Sequence, residues 1–223
     1  MNVVDDTGSP ALEAPADADA AARSRIYALL AEAFAYPEGG PVLRLLDGDW
    51  MADIRDAIEL SPLQVELPQD IAIPGSKSAI NDLQVGYSAI FDVISGSPKV
   101  SLLERRYGDH PEQKLWQDLL AFYGHFGLDF SRGYAEEQPD HLLTELGFMH
   151  YLSFLEAGSD HEQTRASLQR GQRDFLALHL AAWMDDLATK LNDTHPVPPY
   201  AILGRILADV VAADADFLKQ TIQ

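Results

Sequence analysis

A strongly hydrophobic segment, residues 142–155, carries apolar side chains at helical spacing. Leu142, Leu146, Met149 and Leu152 follow one another at intervals of four, three and three residues, which is the repeat of one helix face. Further apolar side chains flank this stripe, so the helix is predicted to be buried on most of its surface. The segment therefore predicts a central helix around which the other elements pack.

A cluster of polar residues precedes this helix, at residues 136–141. Pro139 suits a first helical turn because its ring fixes φ near the helical value. Asp140 suits the positive end of the helix dipole, and we expect its carboxylate to cap the helix. We expect a binding site at this polar cluster, because it directly precedes a buried helix. An acid–base site of Asp140, His141 and Glu145, as in an all-α hydrolase, stays open as the alternative.

The helical pattern continues along the rest of the chain, between breaks rich in proline and glycine. The sequence has no convincing run of alternating apolar and polar residues of the kind that predicts strands. We therefore predict an all-α fold, a single-domain bundle of about seven helices. The predicted helices cover about residues 19–36, 42–60 with a break near 47–49, 77–94, 111–126, 139–156, 161–191 and 200–218.

Acidic residues outnumber basic ones by 35 to 16, which gives a formal net charge of −19 at pH 7. A nucleic-acid binder needs cations to neutralise phosphates, so this charge argues against such a partner and favours a cationic one. Cysteine is missing from the sequence, which excludes disulfides, zinc fingers and thiolate nucleophiles. No apolar run reaches the ~20 residues that span a bilayer, so we expect no stable membrane insertion.

The amino-terminal residues are rich in alanine, aspartate and proline and include no basic side chain. This composition predicts a disordered acidic tail, residues 1–18, ahead of one helical domain, residues 19–223. The tail has neither the basic start nor the apolar core of a secretion signal, so we expect a cytoplasmic protein.

Patterns for metal or nucleotide binding are weak. His141 and Glu145 lie one turn apart, but no histidine follows a glutamate by three residues, as di-iron helix bundles require. Residues 74–78, Pro-Gly-Ser-Lys-Ser, precede a predicted helix but lack the glycine spacing and the strand of a phosphate-binding loop. We therefore predict no cofactor, and a nucleotide-dependent factor stays only as a further alternative.

Four short motifs follow one another along residues 20–195. They are Tyr87-x-x-Ile90-Phe91; Phe122-Tyr123-x-x-Phe126-Gly127-Leu128; Glu137-x-Pro139-Asp140-His141 with Glu145-Leu146 and Phe148-Met149; and Phe175-x-x-x-His179-Leu180-x-x-Trp183. In order and spacing they resemble the TorD/DmsD family of redox-enzyme maturation chaperones, which serve molybdenum enzymes. Two positions depart from the family pattern, since Gly147 stands where glutamate is frequent and Asp185 where proline is common after the tryptophan.

The resemblance implies a cytoplasmic chaperone, not an enzyme, that binds the twin-arginine signal peptide and the apo form of a molybdopterin-dependent catalytic subunit. It would hold this subunit back from export until the cofactor is in place, acting as a monomer or a dimer. By position, the peptide-binding groove would be lined by Tyr87, Ile90, Phe91, Glu137, Pro139, Asp140 and His141. The acids in this set suit the guanidinium groups of the peptide, and the aromatic and aliphatic residues suit its apolar stretch.

Overall fold

Helices make up nearly all of the regular structure in a computed structural model of the chain, which describes residues 17–71, 79–92, 97–129, 138–194 and 199–221. Within these ranges there are α-helices and two short helical turns of other types but no strand, which confirms the predicted all-α fold. The α-helices are α1 (Ala18–Phe34), α2 (Gly39–Asp47), α3 (Asp49–Glu59), α4 (Ala79–Phe91), α5 (Glu112–His125), α6 (Leu142–Ala157), α7 (Glu162–Phe175), α8 (Ala181–Asp193) and α9 (Tyr200–Thr221). The other two elements are a 3-10 turn, Glu104–Arg106, and a π-helical turn, Leu176–Leu180.

The break predicted near residues 47–49 divides the segment 42–60 into two helices, because Gly48 adopts a left-handed conformation with φ of 85° between α2 and α3. Glycine enters this region without steric cost, so it sets the position of the break. Further along, α7, the π turn and α8 run on as one continuous rod, as predicted for residues 161–191. The described residues thus form eight separate rods, close to the predicted seven.

The first helix begins at Ala18, and the side chain of Asp17 caps it by accepting a hydrogen bond from the backbone N–H of Ala20 at 3.0 Å. The predicted tail therefore ends slightly too late in the sequence, since Asp17 and Ala18 already belong to the helix and its cap. The rest of the tail, residues 1–16, lies outside the described residues, as do residues 74–78, which precede the predicted helix of residues 77–94.

Helix α6 packs most extensively on α1 and also contacts α7. Its apolar stripe of Leu142, Leu146, Met149 and Leu152 is fully buried. This confirms the predicted central helix, and α8 and α9 form a second large contact beside it. None of the helices within the described ranges is both long enough and apolar enough to cross a membrane.

A buried ion-pair network joins α1, α6, α7 and α9. Arg23 of α1 is 1% exposed and donates to Asp214 of α9 at 2.6 Å and to Glu156 of α6 at 3.1 Å. It also donates to Gln172 of α7 at 2.5 Å, and the hydroxyl of Tyr27 donates to Asp214 at 2.6 Å. Buried charges are tolerated only where they find partners, so this network constrains the relative positions of the four helices.

The close approach of α8 and α9 at Gly204 gives a test of the packing. A Cβ at Gly204 would lie 2.6 Å from Leu191 Cδ1, whereas a Cβ at Gly147 of α6 would meet nothing within 4 Å. We expect Gly204→Ala to lower the free energy of unfolding by about 1–3 kcal/mol through overpacking. The control Gly147→Ala should raise it by about 0.5–1 kcal/mol, since alanine favours the helix. Urea unfolding followed by far-ultraviolet dichroism measures both, and a Gly204→Ala protein as stable as Gly147→Ala would contradict the packing described.

Candidate functional site

The sequence-predicted site residues lie in two groups, on α4 and at the start of α6. Tyr87 and Ile90 are buried on α4, and Phe91 is half-buried at its last position. Pro139 and Asp140 are buried just before α6. The remaining two are His141, which is half-buried, and Glu137, which falls outside the described residues.

One short segment, residues 100–104, connects the two groups by backbone hydrogen bonds. At one end the N–H of Val100 donates to the carbonyl of Ile90 at 3.1 Å. At the other end the N–H of Glu104 donates to the carbonyl of Asp140 at 2.9 Å, and Leu142 donates to Leu102 at 2.8 Å. Four residues of extended chain span at most about 14 Å, so the two groups lie near each other in the fold.

An aromatic cluster, formed by Tyr36, Tyr87, Phe91 and Tyr200, surrounds the α4 group. The ring of Tyr87 lies 5.4 Å from that of Tyr36, 4.8 Å from Phe91 and 5.9 Å from Tyr200, in edge-on or tilted arrangements. Tyr36 is 44% exposed, so the cluster is reached from solvent. Tyr36 and Tyr200 come from distant parts of the sequence, and nothing in the local pattern around them indicated this role.

Asp140 is fully buried and binds a guanidinium group of the same chain. Arg105 Nη1 donates to Asp140 Oδ1 at 2.6 Å and to Oδ2 at 2.9 Å, and Arg105 Nη2 donates to Gln138 Oε1 at 2.5 Å. The indole N–H of Trp116 donates to Asp140 Oδ1 at 2.9 Å, and the Arg105 guanidinium carbon lies 5.6 Å from the Trp116 ring centre. We call Arg105, Glu112, Trp116, Gln138 and Asp140 the guanidinium site; Glu112 Oε2 lies 3.8 Å from Arg105 Nε.

The expectation that Asp140 caps α6 is wrong. The cap is His141, whose Nδ1 accepts from the backbone N–H of Leu143 at 3.2 Å. Helix α6 begins two residues after Asp140, and the bonds to Arg105 and Trp116 turn the carboxylate away from the helix end. Pro139 likewise precedes the first turn of α6, and its carbonyl accepts from the Tyr123 hydroxyl at 2.8 Å.

Two buried carboxyl groups, Glu104 and Glu145, lie behind the guanidinium site. Glu145 is fully buried, and its Oε2 accepts from Trp183 Nε1 at 3.2 Å. Its other oxygen accepts no hydrogen bond from any residue that the structure describes. Burial, and then the nearby charge of Glu104, raise the pKa of Glu145 well above its usual value. A proton held on Glu145 removes the charge that would otherwise be buried without adequate partners.

His179 connects these acids to a surface cleft. Its Nδ1 lies 3.2 Å from Glu104 Oε1, and the ring also lines a cleft of about 530 Å³ between α5 and the π turn. Phe122 and the exposed Leu178 form apolar parts of the cleft wall, and Lys114 adds a cation. His179 thus lines the cleft, whereas Trp183 is buried.

The geometry suits binding better than acid–base catalysis by Asp140, His141 and Glu145. A general base must reach its substrate, but Asp140 and Glu145 are fully buried and hold Arg105 and Trp183. Among the described residues there is no group of three or more histidine and acidic side chains that could hold a metal ion.

The raised pKa of Glu145 predicts how stability depends on pH. In the folded state Glu145 holds a proton that the unfolded chain releases above about pH 4.3. The protonated group favours the folded state, and this contribution to the free energy of unfolding is lost as pH rises through the folded pKa of Glu145. Glu145→Gln mimics the protonated form, so we expect its advantage over the natural protein to grow as pH rises above the pKa of an unfolded glutamate. Urea unfolding at several pH values measures this, with the exposed Glu59→Gln as control. Parallel pH profiles for all three proteins would contradict a protonated Glu145.

Comparison with known proteins gives consistent matches over most of the chain. The family model of the nitrate reductase delta subunit matches residues 59–189, more than half of the sequence. The perchlorate reductase assembly chaperone protein of Dechloromonas aromatica (strain RCB) is 31% identical over 179 residues, covering 77% of this chain and 78% of that protein.

Two further relatives extend the match. The selenate reductase assembly chaperone protein of Thauera selenatis is 30% identical over 189 residues and covers 84% of both chains. The chaperone protein TorD of Shewanella loihica (strain ATCC BAA-1088 / PV-4) is 24% identical over 208 residues, covering 88% of this chain and 93% of that protein. Matches of this extent confirm the resemblance carried by the sequence motifs, and the chain belongs to the family of the nitrate reductase delta subunit and the TorD-type chaperones.

Proposed function

We propose that this protein is a cytoplasmic assembly chaperone for the catalytic subunit of a molybdopterin-dependent oxidoreductase. It binds the twin-arginine signal peptide and the apo form of that subunit, and it releases them for export once the cofactor has been inserted. The observation that carries the proposal is that relatives matching most of this chain are named assembly chaperones of perchlorate and selenate reductases. The protein acts by binding without turnover, as a monomer or a dimer.

The guanidinium site supports the signal-peptide part of the proposal. A twin-arginine peptide presents guanidinium groups, and this chain holds a guanidinium between the Asp140 carboxylate, the Gln138 amide and the Trp116 ring. Planar guanidinium groups bind carboxylates through paired hydrogen bonds and stack on aromatic faces, so the same groups suit an arginine from a partner.

The aromatic cluster supports the second half of the recognition. The signal peptide continues as an apolar stretch after its arginines, and such a segment binds as a helix in a hydrophobic groove. Tyr36 and Phe91 give the cluster its solvent-accessible edge, and Tyr87 and Ile90 support it from within α4. Pro139 and His141, at the start of α6, would line the passage between the apolar and the acidic parts.

The net charge of −19 supports fast encounter with a basic peptide. Complementary charge acts mainly on the association rate, and its effect falls as salt screens it. Binding at the peptide's arginines is therefore expected to weaken with ionic strength, whereas the contribution of the apolar stretch is expected to persist.

The first experiment is a titration of the full chain with the client's signal peptide and with the same peptide carrying Lys-Lys for Arg-Arg. Charge-assisted hydrogen bonds favour the arginine peptide, so we expect it to bind about tenfold more tightly. Equal affinity for the two peptides would contradict recognition of the arginines. Isothermal titration calorimetry at two salt concentrations measures both affinity and screening.

The second experiment tests the aromatic cluster with a matched pair of variants. Phe91→Ala removes a half-buried ring of the cluster, whereas Phe154→Ala removes a 63% exposed ring twelve residues into α6. We expect Phe91→Ala to weaken binding of the signal peptide by about 1–2 kcal/mol and Phe154→Ala to leave it unchanged. Each melting temperature is measured as well, and equal binding by both variants would remove the cluster from the proposed groove.

A further inference from the structure

The Arg105 guanidinium binds the Asp140 carboxylate through contacts that an arginine from a partner could also make. Its Nη1 contacts both carboxylate oxygens, its Nη2 contacts Gln138, and its guanidinium lies over the Trp116 ring. Carboxylate, amide oxygen and aromatic face each recognise a guanidinium, and all three converge on this one. The arrangement is therefore a complete arginine receptor whose occupant comes from the same chain.

The receptor opens to solvent on an acidic side. The Arg105 side chain is 15% exposed, so its head group lies just beneath the surface, above the fully buried Asp140. Glu112, which is 58% exposed, and the exposed Gln138 form the rim. Within the guanidinium site itself, two carboxylates, Asp140 and Glu112, surround one guanidinium, so their charge exceeds that of Arg105.

The occupant belongs to an arginine pair. Arg105 is followed by the exposed Arg106, and both lie on a single 3-10 turn. Arg105 is the member of this pair that contacts the acidic site, and a twin-arginine peptide offers a pair of the same kind. Displacing Arg105 exchanges one guanidinium for another, so Asp140 is never left buried without a cation.

We infer that Arg105 is an internal stand-in for the client's arginine, and that an arginine of an incoming polypeptide takes its place on Asp140. This inference rests on the proposed function and adds its regulation. In the protein without ligand, Arg105 fills the site, and only a ligand that carries a guanidinium group displaces it. The apparent affinity for the ligand is then lowered by the fraction of molecules in which Arg105 occupies the site.

The test begins with probes that do not depend on any client. Arg105→Ala leaves an arginine-sized opening above Asp140, and it is compared with the natural protein and with the neighbouring Arg106→Ala. Thermal unfolding is followed with low-millimolar methylguanidinium and, as the control cation, methylammonium. We expect methylguanidinium to raise the melting temperature of Arg105→Ala in a saturable manner, and to do so in neither of the other two proteins.

The second measurement is the affinity for acetyl-Arg-Arg-amide and acetyl-Lys-Lys-amide. Removal of the competing side chain should tighten binding of the arginine probe by about tenfold in Arg105→Ala, with little change for the lysine probe. In Arg105→Ala/Asp140→Asn, the tighter binding of the arginine probe and the rise in melting temperature with methylguanidinium should both disappear, because the charge that the guanidinium binds is removed. Arg106→Ala should bind both probes as the natural protein does.

Arg105→Lys provides a second test, which does not depend on the folding of Arg105→Ala. It keeps a cation beside Asp140 but loses the planar pair of donors, so it should fold and bind the arginine probe more tightly than the natural protein. If neither Arg105 variant gains affinity for the arginine probe, or if methylguanidinium and methylammonium act equally, Arg105 is a structural ion pair and the inference is overturned.

The client signal peptide separates this inference from the proposed function. Gains with the short arginine probe, together with a signal peptide that binds none of the variants, would refute signal-peptide binding while supporting the arginine receptor. Tight signal-peptide binding that Arg105→Ala leaves unchanged or weakens would support the proposed function and overturn the stand-in.

Discussion

The buried guanidinium of Arg23 is the constraint on which the bundle depends most. A charge that is 1% exposed must be met by opposite charges and hydrogen-bond acceptors, and here these come from three other helices. Asp214 and Glu156 supply two carboxylates, so α1, α6 and α9 can pack only in positions where these side chains converge. Apolar burial stabilises many arrangements of helices, but a network of this kind is satisfied in few of them.

Helix α6 connects the Arg23 network to the candidate site. Its sixteen residues span about 24 Å, with Glu156 of the Arg23 network near one end and Asp140 just before the other. The same physical rule acts at both ends, since Asp140 is also buried and also held by an arginine. The Arg23 network is closed within the core, whereas the Asp140 ion pair lies beneath an acidic rim at the surface.

The proposed role follows from this difference between the two ends. The closed network holds helices in place, whereas the exchange of arginines that we propose requires a guanidinium site near the surface. The segment of residues 100–104 joins that site through backbone hydrogen bonds to α4, the helix that carries Tyr87 and Phe91 of the aromatic cluster. The π turn adds to this region, because it brings His179 both to Glu104 and to the neighbouring cleft. Turns of this kind inside α-helices are frequently found at functional sites.

Much of the secondary structure was predictable from the sequence, because helix periodicity and helix breaks are local properties. The stripe from Leu142 to Leu152 predicted the central helix, and the proline- and glycine-rich breaks predicted where most rods end. The φ of 85° at Gly48, which turns one predicted helix into two, fits a break that the glycine already indicated. The order of the sequence motifs also indicated the family, since motif spacing is read along the chain alone.

The partners of the site side chains could be decided only by the tertiary structure. Asp140 was expected at a helix cap because the sequence shows its neighbours, whereas its actual partner, Arg105, lies 35 residues earlier. Tyr36 and Tyr200 join Tyr87 from opposite ends of the chain, and no local pattern relates them. The sequence determined which segments become helices, because that depends on residues three and four apart. The tertiary structure decided which charges meet, because long-range pairing depends on how the rods pack.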